Sequence, residues 1–259
     1  MKLIIKNILK TYKNGVKSDD ILNISTDSTL ENISLKPINH KGILFDLIIY
    51  IAVMFAIREV YFPKVGFILN GLFWSFSTLI VASWRMKVRG ISWKDLGLIK
   101  PKSLIKTGLV TAFILVFTVI ALVGFNIIAD QLEFFNQPEA YSKSSGSKFG
   151  NLKGNWLLFF SIMPMVLIES TLEELLDRGF LMNWFEKLLS RTSLATIFAV
   201  IMQATIFGFR HSYDLSARSI TVGLIGLVMG IAYVCFGRNL WPLIIAHCIL
   251  NTMSMIDRV

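Results

Sequence analysis

The sequence predicts an all-α membrane protein, a polytopic transmembrane helical bundle of about seven to eight spans, and three observations carry that prediction. Hydrophobic residues make up 54% of the 259 residues and the mean hydropathy is +0.62, whereas a soluble domain is roughly 45–50% apolar even with glycine counted. The apolar residues gather in runs of about 17–23, long enough to cross a hydrocarbon core of about 30 Å. No ten-residue alternation of apolar and polar positions marks barrel strands, so the backbone must satisfy its own hydrogen bonds in helices.

Three regions follow in chain order. Residues 1–42 form a basic N-terminal segment in which Lys2, Lys6, Lys10, Lys13 and Lys17 recur every three or four residues, giving one basic helical face. Such a face suits an interfacial helix on an anionic leaflet, and a solvated tail is the alternative. No apolar stretch of adequate length follows the first lysines, so cleavage as a signal peptide is not expected. Residues 43–104 hold two spans, Ile43–Tyr61 and Val65–Ser83, and an amphipathic linker, "ISWKDLGLIKPKS", closed by Pro101. Residues 105–259 form the core, with spans at Lys106–Ala129, Asn155–Leu176, Ser193–Phe209, Ser219–Phe236 and Leu240–Ile256.

The formal net charge is +9, but the cations sit between apolar runs, which points to membrane orientation and to the lipid bilayer rather than nucleic acid as partner. Arg85, Lys87, Arg89, Lys94, Lys100, Lys102 and Lys106 crowd one loop against Asp95. That loop and the N-terminus are therefore expected in the cytoplasm of a multi-pass plasma-membrane protein, with the Ser/Gly/Lys-rich 131–154 loop outside. Trp84, Trp93, Trp156, Trp184 and Trp241 fall near span ends, as headgroup-level indoles do; Trp74 does not. Cys235 and Cys248 lie in apolar runs and are expected to be buried, inert thiols, with no disulfide framework.

Glu169, Glu173, Glu174, Asp177 and Arg178 stand together in "ESTLEELLDRGFL" between apolar runs. A charge at a helix centre costs roughly 2.5–3.5 kcal/mol on insertion scales, so the group needs partners or a wet cavity. On a helix Glu169, Glu173 and Asp177 stack at i, i+4 and i+8, while Glu174 and Arg178 form their own i, i+4 pair and leave Glu173 free. A solvated turn at the end of a span is the bland reading. Against it stand "FGFRH", with His211 at a span end, and "HCILN", with His247 and Asn251 on one helical face. If Ser190–Thr192 turns a helical hairpin, Glu173 and His211 lie level in depth to within roughly 3 Å.

Three ordered motifs, "EELLDR", "FGFRH" and "HCILN", resemble the E-E-x-x-x-R, F-x-x-x-H and H-x-x-x-N motifs of the CPBP intramembrane proteases, which include the type II CAAX prenyl endopeptidases and bacterial Abi proteins. "DLGL" resembles the family's linker before the core. The resemblance implies an endopeptidase acting on a membrane-associated peptide or protein. Glu173 and His211 would activate water, His247 and Asn251 would steady the oxyanion, and Glu174 and Arg178 would support them. Glu173, His211 and His247 also have the ligand character for one divalent ion such as Zn2+ with a position open to water, yet the compact H-E-x-x-H spacing is absent and the family is equally compatible with a metal-free, glutamate-dependent reaction. Where the family commonly has an aromatic residue before the arginine, this chain has Asp177. The absence of an internal repeat counts against a transporter; a non-catalytic scaffold or immunity protein stays open, as do the substrate and the oligomeric state.

Overall fold

The computed structural model describes residues 38–129, 149–213 and 216–259. The basic 1–37 segment and most of the 131–154 loop lie outside the described residues. Among those described, all regular secondary structure is helical, with no strand.

Helix α1, His40–Ala56, starts where the Asn39 side chain accepts from the Gly42 N–H at 2.9 Å, relieving one of the unpaired donors of a first turn. Ile43, Asp46, Leu47, Tyr50 and Met54 form its buried stripe. A tight connection leads to α2, Gly66–Val88. Asn70 fixes that connection: its side chain accepts from the Phe62 N–H at 2.8 Å and donates to the carbonyls of Phe62 and Gly66. Trp74, which fitted no interfacial pattern, donates to the Val60 carbonyl at 2.8 Å and stands over the Arg58 guanidinium, so it too serves this turn.

Asp46 ties α1 to α2 and to the core. Arg85 and Arg89 reach it at 2.6 and 2.7 Å, and the Trp184 indole N–H donates to it at 3.2 Å. Trp184 is thus fully buried, stacked on Phe180 at 4.2 Å, which corrects its reading as a headgroup-level residue; the carboxylate inside the bundle needs that donor. Trp84, Trp156 and Trp241 are exposed as expected.

The linker docks against the later chain. Asp95 accepts from the Ser92 hydroxyl and backbone N–H, which hold its carboxyl below the usual carboxylate range. Gly97 has φ +96°, and a Cβ there would lie 1.9 Å from the Arg238 carbonyl oxygen; only glycine permits that approach. The Gly97 carbonyl accepts from the Leu240 N–H at 3.0 Å and the Leu96 carbonyl from the Tyr233 hydroxyl at 2.8 Å.

Helix α3, Leu104–Ala129, presents Leu104, Ile105, Leu109 and Ile127 outward, as a lipid-facing helix should. Helix α4, Trp156–Glu174, continues through a π-helical stretch, Leu175–Leu181, into α5, Met182–Leu188. The expected end at Leu176 is therefore extended to Leu188. The charged stretch need not leave the bundle because it is paired inside it, as described below. Helices α6, Ala195–Ser212, α7, Ala217–Cys235, and α8, Trp241–Ile256, complete the bundle. A Cβ on Gly208 of α6 would meet the Ser219 carbonyl of α7 at 2.3 Å and Gly223 Cα at 2.9 Å, so these backbones touch where side chains are missing. Cys235 at the end of α7 is exposed, not buried as expected, because the helix ends there; Cys248 is half-buried.

All seven expected apolar runs are helical. Five stretches are long and apolar enough to cross a membrane: His40–Glu59, Pro63–Val88, Leu104–Ala129, Trp156–Leu188 and Ala217–Cys235; α8 is a shorter apolar helix. α6 carries Arg210 and His211 in its last turn.

Candidate active site

Helices α4, α6 and α8 bring together the residues expected to act. The continuous helix of α4 and α5 ends at Leu188 and α6 begins at Ala195, flanking the anticipated hairpin turn, and Glu173 meets His211: the Oε1 to Nε2 distance is 3.5 Å. His247 joins from α8, its Nε2 lying 3.4 Å from the other carboxylate oxygen of Glu173. Both separations exceed a direct hydrogen bond but allow a water within about 2.8 Å of each atom.

The opposite ring nitrogens are committed. His211 Nδ1 lies 2.6 Å from the Phe207 carbonyl, which can only accept, so the proton is on Nδ1 and a neutral ring turns its Nε2 lone pair toward Glu173. His247 Nδ1 lies 2.7 Å from Glu174. Glu174 also accepts from Arg178 at 2.9 Å, the i, i+4 pair read from the sequence, with both side chains fully buried. One carboxylate therefore holds both the arginine and the histidine ring. The Arg178 guanidinium lies over Phe207, 4.4 Å from its centroid.

Asp177, the departure from the family pattern, is buried and bound to Arg210 at 2.6 Å. The same guanidinium approaches Glu173 at 3.6 Å. Sequence reasoning assigned Arg210 nothing, although it lies within "FGFRH" beside His211. The signal was arithmetic: four carboxylates in a buried stretch with one arginine require another cation. Asn251 is one turn beyond His247 and donates to the Ser170 hydroxyl at 2.8 Å, which itself donates to the Val166 carbonyl. Ser170 was also missed, as was Ser75 of α2, which donates to Glu169 at 2.5 Å; nothing in the one-dimensional pattern links residues so distant.

The π-helical stretch begins directly after Glu174 and contains Asp177 and Arg178. Insertions of this type recur at functional sites because they re-aim side chains within a continuous helix. Here Asp177 faces Arg210 while Arg178 turns back to Glu174.

The proposed metal set does not fit closely. Among the described residues no three His, Cys, Asp or Glu side chains are disposed to hold a metal ion. The two Nε2 atoms face different oxygens of Glu173.

Residues 155–253 match the family model of type II CAAX prenyl endopeptidases, Rce1-like. The match contains Glu173, Glu174, Arg178, His211, His247 and Asn251. No curated protein and no solved structure matches the chain.

Proposed function

From a chain that carries an Rce1-like type II CAAX prenyl endopeptidase domain at residues 155–253, we propose an intramembrane endopeptidase that hydrolyses a peptide bond of a membrane-associated peptide or protein. The observation that carries the proposal is the placement of both histidine Nε2 atoms 3.4–3.5 Å from the two oxygens of Glu173. A water between Glu173 and His211 gives one hydrogen to the carboxylate and the other to the imidazole lone pair. Glu173 takes the first proton as the oxygen attacks the substrate carbonyl. His211, its tautomer fixed by Phe207, orients the water.

The oxyanion then forms beside α8. With Nδ1 against the Glu174 carboxylate, a doubly protonated His247 ring presents its Nε2–H as a donor; Asn251 spends one amide hydrogen on Ser170 and has a second to give. Fixed, preorganised donors of this kind are where oxyanion stabilisation is largest. Every step is assigned to side chains of the chain itself. The N-terminus is assigned to the cytoplasm of the plasma membrane, supported by the cations between α2 and α3.

Comparison of the peptide termini of cells carrying the wild type and Glu173→Ala tests the function and identifies the substrate. New uncleaved peptides are expected in the variant, and their cleavage by purified wild type in vesicles completes the assignment. Identical termini, with a cellular phenotype unchanged in the variant, would instead favour a scaffold.

A further inference from the structure

Two carboxylates of the charged stretch have no part in the proposed mechanism, and of these Asp177 is bound to Arg210 whereas Glu169 is not so paired. It lies one helical turn before Glu173 and on the same face of α4. Glu173, Glu174 and Asp177 each have Arg178 or Arg210 within ion-pair reach. Glu169 makes no ion pair among the described residues: its Oε1 accepts from the neutral Ser75 hydroxyl, and its Oε2 is buried with no hydrogen-bond partner in the protein. A carboxyl whose Oε2 is buried without a partner and whose Oε1 meets a neutral hydroxyl is suited to carry a proton rather than a charge. The opposing layer completes the geometry. On α8, Asn251 is one turn beyond His247 and is bound to Ser170, the chain neighbour of Glu169. The Glu173–His247 layer and the Glu169–Asn251 layer are thus successive turns of the same two facing helices.

We propose that Glu169 is the proton donor to the leaving amine, a role that rests on Glu173 being the base. A water proton passes to Glu173 as the C–O bond forms. The tetrahedral adduct then collapses, the C–N bond breaks, and the amine nitrogen receives the Glu169 proton. The carboxylic acid product forms, and the proton on Glu173 returns to Glu169 through incoming water, restoring both groups. Ser75, on a helix outside residues 155–253, is the positioning residue that aims this acid.

The experiment compares the peptide found to be cleaved with its depsipeptide analogue, in which oxygen replaces the scissile nitrogen. A leaving alkoxide depends on a proton donor far less than a leaving amine does. Glu169→Gln, which keeps the hydrogen bond to Ser75, is expected to lower kcat on the peptide by about 10²–10⁴-fold, to leave KM unchanged, and to cost less than tenfold on the ester. Glu173→Gln is expected to lower both. Equal loss on both substrates, or none on either, in a Glu169→Gln protein of normal melting temperature would reduce Glu169 to a tether between α2 and α4. Retention of peptide cleavage by Glu173→Gln would overturn the base assignment itself.

Discussion

At the scale of single residues, the proposed mechanism separates groups that would react from groups that would hold them. Glu173 is partly accessible and has three cationic or ionisable neighbours, so Glu173→Ala and His211→Ala are expected to abolish cleavage and leave melting temperatures near wild type. Arg178 is different. It is fully buried, and its loss leaves Glu174 with His247 as its only hydrogen-bond donor among the described residues. Breaking a buried pair costs roughly 3–5 kcal/mol, and because the histidine remains, about 3 kcal/mol is expected for Arg178→Ala, read as a lower melting temperature in detergent. A normal melting temperature would mean that Glu174 does not depend on Arg178 for its burial. The Glu174–Arg178 pair was legible because i, i+4 spacing fixes it within one helix. The Asp177–Arg210 pair was not, since it joins two helices and depends on the rotation of each about its axis.

At the scale of elements, backbone contact between α6 and α7 sets where His211 stands. Gly208→Ala would force a Cβ to within 2.3 Å of the Ser219 carbonyl, and overpacking of this kind costs about 1–3 kcal/mol. His211 lies three residues on, so cleavage should fall further than the loss of stability explains. Gly124→Ala on α3, where no atom lies within 4 Å of the added carbon, is the matched control and should change neither cleavage nor melting. A silent Gly208→Ala would show that His211 does not depend on this crossing. The hairpin depth that brings Glu173 level with His211 was readable from a count of residues. The π-helical stretch was not, because one wide turn barely disturbs the 3.6-residue pattern in so uniformly apolar a run. The extension of α4 into α5 escaped for a related reason: charges normally end a span, and only lateral pairing lets a helix carry them inward.

At the scale of the whole molecule, fold class was legible from composition and run length alone, while orientation needs an experiment. Arg85 and Arg89 are spent on Asp46, yet Lys94, Lys100 and Lys102 in the loop between α2 and α3, with Lys87 and Lys106 at the flanking helix ends, still weight that side toward the cytoplasm. Exposed Cys235 lies three residues before Arg238, whose carbonyl abuts Gly97 of that loop. An impermeant maleimide should therefore label Cys235 only from the cytoplasmic side, and Lys153→Cys, exposed before α4, only from outside, both in a Cys248→Ala background. Labelling of both from one side would refute the topology. One dimension of the molecule has a further consequence. The continuous helix from Trp156 to Leu188 has 33 residues, a length of about 50 Å against a hydrocarbon thickness of about 30 Å. The helix must tilt or project beyond the acyl chains, at a cost of fractions of a kcal/mol per ångström of mismatch. Glu173 lies near its midpoint, so the acyl-chain length of the surrounding lipid would set the depth of the proposed reaction.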